Sequence, residues 1–301
     1  MVSIIKLLQN PAKIIFILDK YGLGKYLSDK TYLKLKFKAS MGKRLNLKNP
    51  QTYSEKLQWL KLYYRNPEYT PLVDKQLVKP YVADKIGEEY VIPTFGVWND
   101  VDEIDFDALP NQFVLKCTHD SGGLVVCKDK SKLDVEKAKR TMRKALTSDF
   151  YFSGREWPYK NVERKIIAEQ YMEDAETKEL RDYKFFCFDG VPKALFVASD
   201  RPHDTRFDFY DLEFNHLPFT NGHPWASKEI KKPATFDKMI EFAAVLSQGM
   251  PHARIDFYEV NGKLYFGEIT FFHHNGMCPF EPEEWDYTFG SWLTLPEKRR
   301  G

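Results

Sequence analysis

An α+β fold is predicted for this chain, and three observations predict it. Apolar residues recur at helical spacing through roughly the first ninety residues. From about residue 91 short apolar strands take over, two pairs of them joined by the hairpin turns Asp189-Gly190 and Asn261-Gly262. Aromatic content is 15%, with 23 Phe and 17 Tyr, which excludes a disordered chain. Helices first, then strands with interspersed helices, give an α+β or mixed α/β architecture.

The 301 residues suffice for about two domains and a large core. With 45 basic and 43 acidic residues the formal charge is +2, a balance that argues against a nucleic-acid partner. Cys117, Cys127, Cys187 and Cys278 form no CxxC pair, as expected of buried, reduced thiols in a cytosolic protein. No secretory signal is evident. The apolar run Ile14–Leu18 is far shorter than the roughly twenty residues of a membrane span. Residues 1–40 nevertheless alternate apolar and basic residues, from Ile4-Ile5-Lys6-Leu7-Leu8 to Lys13-Ile14-Ile15-Phe16. Such a helix can lie on an anionic membrane surface or pack on the protein's own core.

Each element follows from local pattern. Tyr53–Tyr64 reads as a helix capped by Thr52 or Ser54, with Glu55 in its first turn. Leu72–Lys85 reads as a second helix, ended by Gly87. Val91-Ile92-Pro93, Phe95–Trp98, Gln112–Cys117 and Leu124–Cys127 read as strands, and Leu133–Thr147 as a helix. Lys165–Tyr171, Tyr183–Phe188 and Val191–Ala198 read as strands, Ala234–Leu246 as a helix, and Ala253–Glu259 with Leu264–Thr270 as the last hairpin. No internal repeat or low-complexity linker interrupts them.

Four places carry possible chemistry. Lys116 ends a strand before Ser121-Gly122-Gly123, and adjacent glycines let backbone N–H groups approach an anion. The same segment is compatible with an ordinary glycine turn, and neither GxxxxGK[ST] nor GxGxxG occurs. Lys75 follows Asp74 on a helix, where a solvated lysine is the default. Glu169-Gln170-Tyr171-Met172 ends an apolar strand that can offer backbone groups to an adenine edge, with Met172 and Val114 as walls; a core strand ending in an exposed acid is the alternative. Asp256 and Glu268 stand on opposite arms of the last hairpin. Facing carboxylates repel unless a cation lies between them, and hard oxygen ligands select Mg²⁺ or Mn²⁺; solvated acids are the alternative.

Taken in order, Asp74-Lys75, Lys116 with Ser121-Gly122-Gly123, the Glu169–Met172 strand end and Arg254-Ile255-Asp256…Glu268 resemble the ATP-grasp superfamily. More closely, the chain resembles the TupA-like ATP-grasp family, associated with bacterial cell-surface polysaccharide biosynthesis. The similarity runs from about Lys43 to Leu295 and includes LNLKNPQTYSEKLQWL (45–60), FVLKCTHDSGGLVV (113–126) and DYKFFCFDG (182–190). It implies an ATP-grasp fold of two α+β lobes gripping ATP, behind a helical N-terminal region. The segments would be an N-terminal helical segment (1–42), a helical and α+β region (43–112), the small lobe with the glycine loop (113–172) and the C-terminal lobe with the metal site (173–301).

By the same resemblance Lys75 and Lys116 contact the nucleotide phosphates, and Ser121, Gly122 and Gly123 close over them, with 118–123 as a lid. Glu169, Tyr171 and Met172 border adenine. Asp182 binds ribose, with Glu176 or Glu179 as alternatives. Asp256 and Glu268 hold Mg²⁺ (or Mn²⁺), and Arg254 faces the transferred phosphoryl group. One departure stands out. The family's usual Glu-x-Asn reads Glu268-Ile269-Thr270 here, and Asn275 could replace the missing ligand. His273 and His274, like Arg201, His203 and Arg206, either recognise substrate or are solvated loop residues.

The implied reaction is ATP-dependent amide formation. A carboxylate takes the γ-phosphoryl group to give an acyl phosphate, and an amine displaces phosphate. Lys116 and Arg254 are its catalytic residues. The substrates would be a glycan or sugar-linked carboxylate and an amine or amino acid. The setting would be the cytoplasm, with the inner membrane face reached through residues 1–40. Two alternatives are a glycosyltransferase, because Asp105-Phe106-Asp107 is formally a DxD, and an ATP-grasp-like kinase.

Overall fold

The computed structural model describes residues 10–120, 122–201 and 204–299; Ser121 and His203 lie outside the described residues. Two helices open it, α1 (Ile14–Lys20) and α2 (Asp29–Met41). They bury Ile15, Tyr32, Leu33 and Ala39 in a small cluster of their own, packed against Leu62 and Met277 of the main body. No described helix is long and apolar enough to cross a membrane.

The helix α3 (Tyr53–Tyr63) begins with a complete capping box. The Thr52 side chain accepts from the Glu55 N–H, and the Glu55 carboxylate accepts from the Thr52 N–H.

The single helix expected over 72–85 is two: α4 (Tyr69–Val73) and α5 (Val78–Ile86). Pro80 is the reason. In one continuous helix its ring would strike the carbonyl of Gln76, and its missing N–H would break the ladder. The Asp74 carboxylate fills the gap by accepting from the N–H groups of Gln76 (2.7 Å) and Leu77 (3.1 Å). Lys75 therefore sits in a turn, not on a helix. Gly87, at φ +114°, ends α5 as expected.

Two antiparallel sheets follow. The first contains β1 (Thr94–Trp98), β2 (Phe113–Cys117), β3 (Leu124–Cys127) and β4 (Ile166–Gln170), in the order β1-β4-β2-β3. Val91-Ile92-Pro93 is not a strand; the chain runs through a 3₁₀ turn at Glu88–Tyr90 and enters β1 at Thr94. The helix α6 (Val135–Leu146), followed by the short α7 (Phe150–Gly154), packs Ala138, Met142 and Ala145 onto this sheet.

The second sheet contains β5 (Asp182–Phe188), β6 (Val191–Ser199), β7 (Arg206–Tyr210), β8 (His252–Val260) and β9 (Lys263–Thr270), in the order β9-β8-β5-β6-β7. The segment read as a polar loop around Arg206 thus becomes an edge strand, whose Phe207 and Phe209 pack on Phe196. Both predicted turns have positive φ at both residues, Asp189 and Gly190 (+53° and +78°) and Asn261 and Gly262 (+52° and +73°). The helix α8 (Phe236–Leu246) and a C-terminal α9 (Glu284–Trp292) cover the sheet.

The DxD segment is a turn, with the Asp105 carboxylate accepting from the N–H groups of Asp107 and Ala108 while Phe106 is buried. All four cysteines are free thiols.

One histidine ties α3 to the second sheet. His252 Nδ1 donates to the Cys187 carbonyl and Nε2 accepts from the Tyr53 hydroxyl, each at 2.9 Å. Burial pushes its pKa from 6.5 down to about 3, so it folds neutral. Between those values the unfolded state binds the extra proton. The stabilisation is complete above the unfolded value and is lost as pH falls through the folded one. The urea midpoint should fall as pH drops from about 7.5 to about 5, and His252→Gln should flatten that dependence.

Candidate functional site

The hairpin β8–β9 is not regular. Val260 pairs with Lys263 and Phe257 with Phe266, but Asp256 pairs with Glu268. Gly267 is the extra residue of a bulge. Without it Asp256 would oppose residue 267, and Glu268 would point to the other face of the sheet. A Cβ at Gly267 would lie 3.0 Å from the Asp256 carbonyl oxygen, so glycine suits the bulge. Neighbouring β5 sets Lys184 opposite Asp256 and Asp182 opposite Tyr258. One face of three strands therefore carries Asp182, Lys184, Arg254, Asp256, Glu268 and Thr270.

Arg254 organises that face. Its Nε and Nη2 donate to the two oxygens of Asp256 at 2.8 and 2.7 Å. Nη2 also reaches Glu268 Oε1 (2.9 Å) and the Thr270 hydroxyl (3.0 Å), and Nη1 donates to His273 Nδ1 (2.8 Å). Lys184 pairs with Asp256 and, at 2.9 Å, with Asp182, whose same oxygen takes Arg201 at 2.8 Å. Three cations thus face three carboxylates. Burial pushes the Asp256 carboxyl up, to about 6, against the pull of Arg254 and Lys184. At Glu268 the order reverses: Lys184, Arg254 and Lys75 overcome burial and hold it down to about 2. The Glu268 side chain is 42% exposed, so water screens part of that pull.

This geometry corrects one step of the sequence argument. Two facing acids do not here require a metal, because Arg254 and Lys184 already supply the positive charge. Sequence reading missed Lys184. Its signal was the Asp-x-Lys spacing on a strand, which puts both side chains on one face.

Two adjoining hollows, 240 and 50 Å³, share Lys75, Val78, Gly267 and Glu268 and form one cleft between the sheets. At its narrow end Glu169 receives Lys116 (2.8 Å) and Lys79 (2.5 Å), and these cations hold it below the usual carboxylate range despite burial. Lys79 is a second residue not anticipated. Met172 is buried beside Ile92 and Val260, with Tyr258 against them. Lys75 bridges the two ends and donates to the carbonyls of Cys117 (2.9 Å) and Asp120.

Several expected residues do not line the cleft. Tyr171 turns away and donates to Glu173 beneath Lys128. Asp182 is buried under Lys184 and Arg201, while Glu179 is bound to Arg181 and the Asp200 N–H. Glu176 lies in the loop turned by Asp174. Arg206 pairs with Asp204 on the edge strand.

His273 is buried; its Nε2 donates to Asn221 Oδ1 (3.0 Å), and burial with its cationic neighbours keeps it neutral. It supports Arg254 from behind and presents nothing to a substrate. His274 lines the cleft, stacks on Phe207 and is held down to about 4 by loss of hydration and Arg254.

The glycine loop is also constrained. Thr118, His119 and Asp120 are buried, and the Gly123 N–H is spent on Asp120. A Cβ at Gly123 would collide with Ala145, whereas Gly122 has open space around it. Of the described residues in the stretch expected to form a lid, only Gly122 has open space around it.

Among the described residues no group of three or more His, Cys, Asp or Glu is arranged to hold a metal ion. Both Asp256 oxygens are engaged. Asn275 Oδ1 is buried against Gly154, and the Asn275 carbonyl is bound by Gln58 and Lys61. Glu268 lines the cleft with its side chain 42% exposed, and the hydrogen bonds it accepts among the described residues go to Oε1. Mg²⁺ commonly takes one or two protein carboxylates and fills its shell with phosphate and water, so Glu268 fits a cation carried in with phosphates.

Residues 55–294 match the family described as TupA-like ATPgrasp, and the chain belongs to that family. Its fold is ATP-grasp. Among solved structures it is similar to the D-cycloserine synthetase DcsG (16% identity, 75% of this chain and 71% of that one, TM-score 0.42). It is also similar to D-alanine–D-alanine ligases from Helicobacter pylori (12%, 80% and 66%, TM-score 0.40) and Bacillus anthracis (14%, 72% and 58%, TM-score 0.35). The aligned part spans 58% of the Bacillus anthracis ligase. No curated protein matches the chain.

Arg254→Met would leave Asp256 buried with half its compensation gone. Urea denaturation should show a loss of about 3–5 kcal/mol, and adding Asp256→Asn should recover part of it.

Proposed function

We propose that the protein is an ATP-dependent carboxylate–amine ligase working through an acyl phosphate. Its acceptor would be a carboxylate on a bacterial surface or capsular polysaccharide or its precursor. The observation that supports the chemistry is the cleft itself, in which Lys116, Lys79, Lys75 and Arg254 follow one another past a partly open Glu268. Such a row of cations suits a chain of phosphates, and family membership supports ATP as their source. The polysaccharide rests on the resemblance to the TupA-like family.

In this reading adenine lies near Glu169 against Met172 and Ile92. Lys116 and Lys75 neutralise the phosphates. The carboxylate substrate attacks the γ-phosphorus and ADP leaves; an amine then attacks the acyl carbon and phosphate leaves. Arg254, held by Asp256 and His273, donates to the oxygens on which charge develops. Lys184 sits behind it and keeps Asp256 ionised. Glu268, with Thr270 beside it, would hold Mg²⁺, which supplies charge neutralisation at the phosphate oxygens when bound.

Purified protein given ATP, Mg²⁺, a uronic-acid glycan and an amino acid should release ADP and phosphate together. ADP with a phosphorylated glycan and no phosphate would indicate a kinase instead. UDP from a sugar nucleotide would indicate a transferase. Asp256→Asn and Glu268→Gln should each lower turnover at least about a hundredfold while the proteins remain folded by circular dichroism. Full activity in either sinks the assignment.

The inner membrane face is proposed as the place of work. Tyr21, Leu23 and Tyr26 project from the tip after α1, at 68, 49 and 75% exposure. Lys20 and Lys25 lie over the rings of Tyr21 and Tyr26, while Asp19 and Asp29 are occupied by Lys36 and Arg65. An apolar tip with uncompensated lysines suits anionic lipid. The full chain should cosediment with phosphatidylserine vesicles and lose that binding in Tyr21→Ser/Tyr26→Ser. Equal partitioning of both would remove the membrane from the account.

A further inference from the structure

Glu156 is a charged side chain with no use in the scheme above. It is 4% exposed, yet it lines the wide end of the cleft with Tyr159, Phe150, His274, Arg254 and Glu268. Among the described residues its carboxylate accepts no hydrogen bond and joins no ion pair. Buried carboxylates are normally satisfied, and one that is not calls for an explanation.

The surrounding cations are committed elsewhere. Lys61, a buried cation in its environment, spends its ammonium on the carbonyls of Gly154 and Asn275 (2.8 Å each) and on Gln58 Oε1 (3.3 Å). Arg254 is bound by Asp256, Glu268, Thr270 and His273. Lys75 is bound by two carbonyls.

The position is also rigid. On one side Arg155, buried and at φ +57°, donates to the carbonyls of Gly24 (2.8 Å) and Leu27 (3.3 Å). On the other Trp157 stacks on Tyr69 at 5.8 Å. A carboxylate fixed between two anchored neighbours is pre-organised for a ligand that brings its own donors and positive charge.

Resting on the ligase reading, we propose that Glu156 binds the amine co-substrate as its ammonium ion at the end of the cleft away from Lys116 and takes a proton from it, so that the neutral amine attacks the acyl carbon as phosphate leaves. The ligand class is a primary ammonium. It brings three N–H donors and one positive charge, which answers an unpartnered buried carboxylate, whereas a second carboxylate would be repelled. Burial pushes the Glu156 carboxyl up to about 7 against the pull of Lys61 and Arg254, as expected of a site lacking a close cation. The alternative is a purely structural counter-charge to Lys61. That role would change stability and leave substrate discrimination alone.

The test compares wild type with Glu156→Gln in the full chain, using ATP, Mg²⁺ and a uronic-acid glycan, with an amino acid or hydroxylamine as nucleophile. Hydroxylamine is largely uncharged at neutral pH and traps an acyl phosphate as a hydroxamate. The KM for the amino acid should rise about tenfold or more while the KM for ATP stays within about twofold. Amide formation should fall relative to hydroxamate formation. Equal amino-acid KM values, or a parallel rise in both KM values, would overturn the assignment. Absence of hydroxamate and ADP in wild type would instead count against the ligase reading. Should Glu156→Gln fail to fold, Glu156→Asp, which keeps the charge but draws it back, decides by the same KM comparison.

Discussion

Everything at the candidate site hangs on the Arg254 guanidinium. A planar fork with five donors can hold a carboxylate with two parallel bonds and still reach further partners, which an ammonium cannot do. Here it holds Asp256 and reaches Glu268, Thr270 and His273. Two strands, one bulge and a neutral buried histidine are fixed relative to each other by that one group. The arrangement is neutral as a whole, since Lys184 and Arg201 balance Asp182 and the second acid of the hairpin. In the same cleft Lys75 is held by two carbonyls and Lys116 and Lys79 by Glu169, so a polyanion entering it would have to draw these lysines from their present partners.

The two sheets divide the labour. The first is thin, with one helix behind it, and brings Lys116 and Glu169 to the cleft from adjacent strands. The second is covered by α8 and α9 and holds the large aromatic cluster of Phe185, Phe186, Phe196, Phe209 and Phe289. Packing of that density resists deformation, which is what side chains held to within a few tenths of an ångström need. Lys75 and Lys79 come from neither sheet. They are supplied by the broken helix at 74–78, and the break that Pro80 forces is what lets one lysine reach the Asp120 carbonyl and the other Glu169.

Local signals were legible from the residues. Asn261-Gly262 and Asp189-Gly190 made the turns their φ preferences dictate, and Thr52 with Glu55 made the capping box. Asp256 and Glu268 were legible as a pair, although the reason they share a face was not. A regular hairpin would have set them on opposite faces, and a single glycine reversed that. Lys79 and Lys184 were not legible because their meaning lies in partners 90 and 72 residues away in the chain, Glu169 and Asp256, and Glu156 was not because the other walls of its cleft come from distant segments. Pro80 stands in the sequence as a helix breaker, and the single helix read over 72–85 took no account of it. His273 read either as a substrate contact or as a solvated loop residue, and its packing beneath Arg254 was not legible.

Arg155 and Glu156 are adjacent in the chain and point to different worlds. The arginine is threaded into the opening helices, where the carbonyls of Gly24 and Leu27 and the ring of Tyr32 enclose it. The glutamate lines the cleft. The planar peptide bond fixes only the spacing of the two, so one dipeptide is anchored to the N-terminal helices through its arginine and lines the cleft through its glutamate. The tip formed by Tyr21, Leu23 and Tyr26 belongs to the same helical unit that grips the arginine. The N-terminal helical unit and the wall of the cleft therefore meet in a single dipeptide.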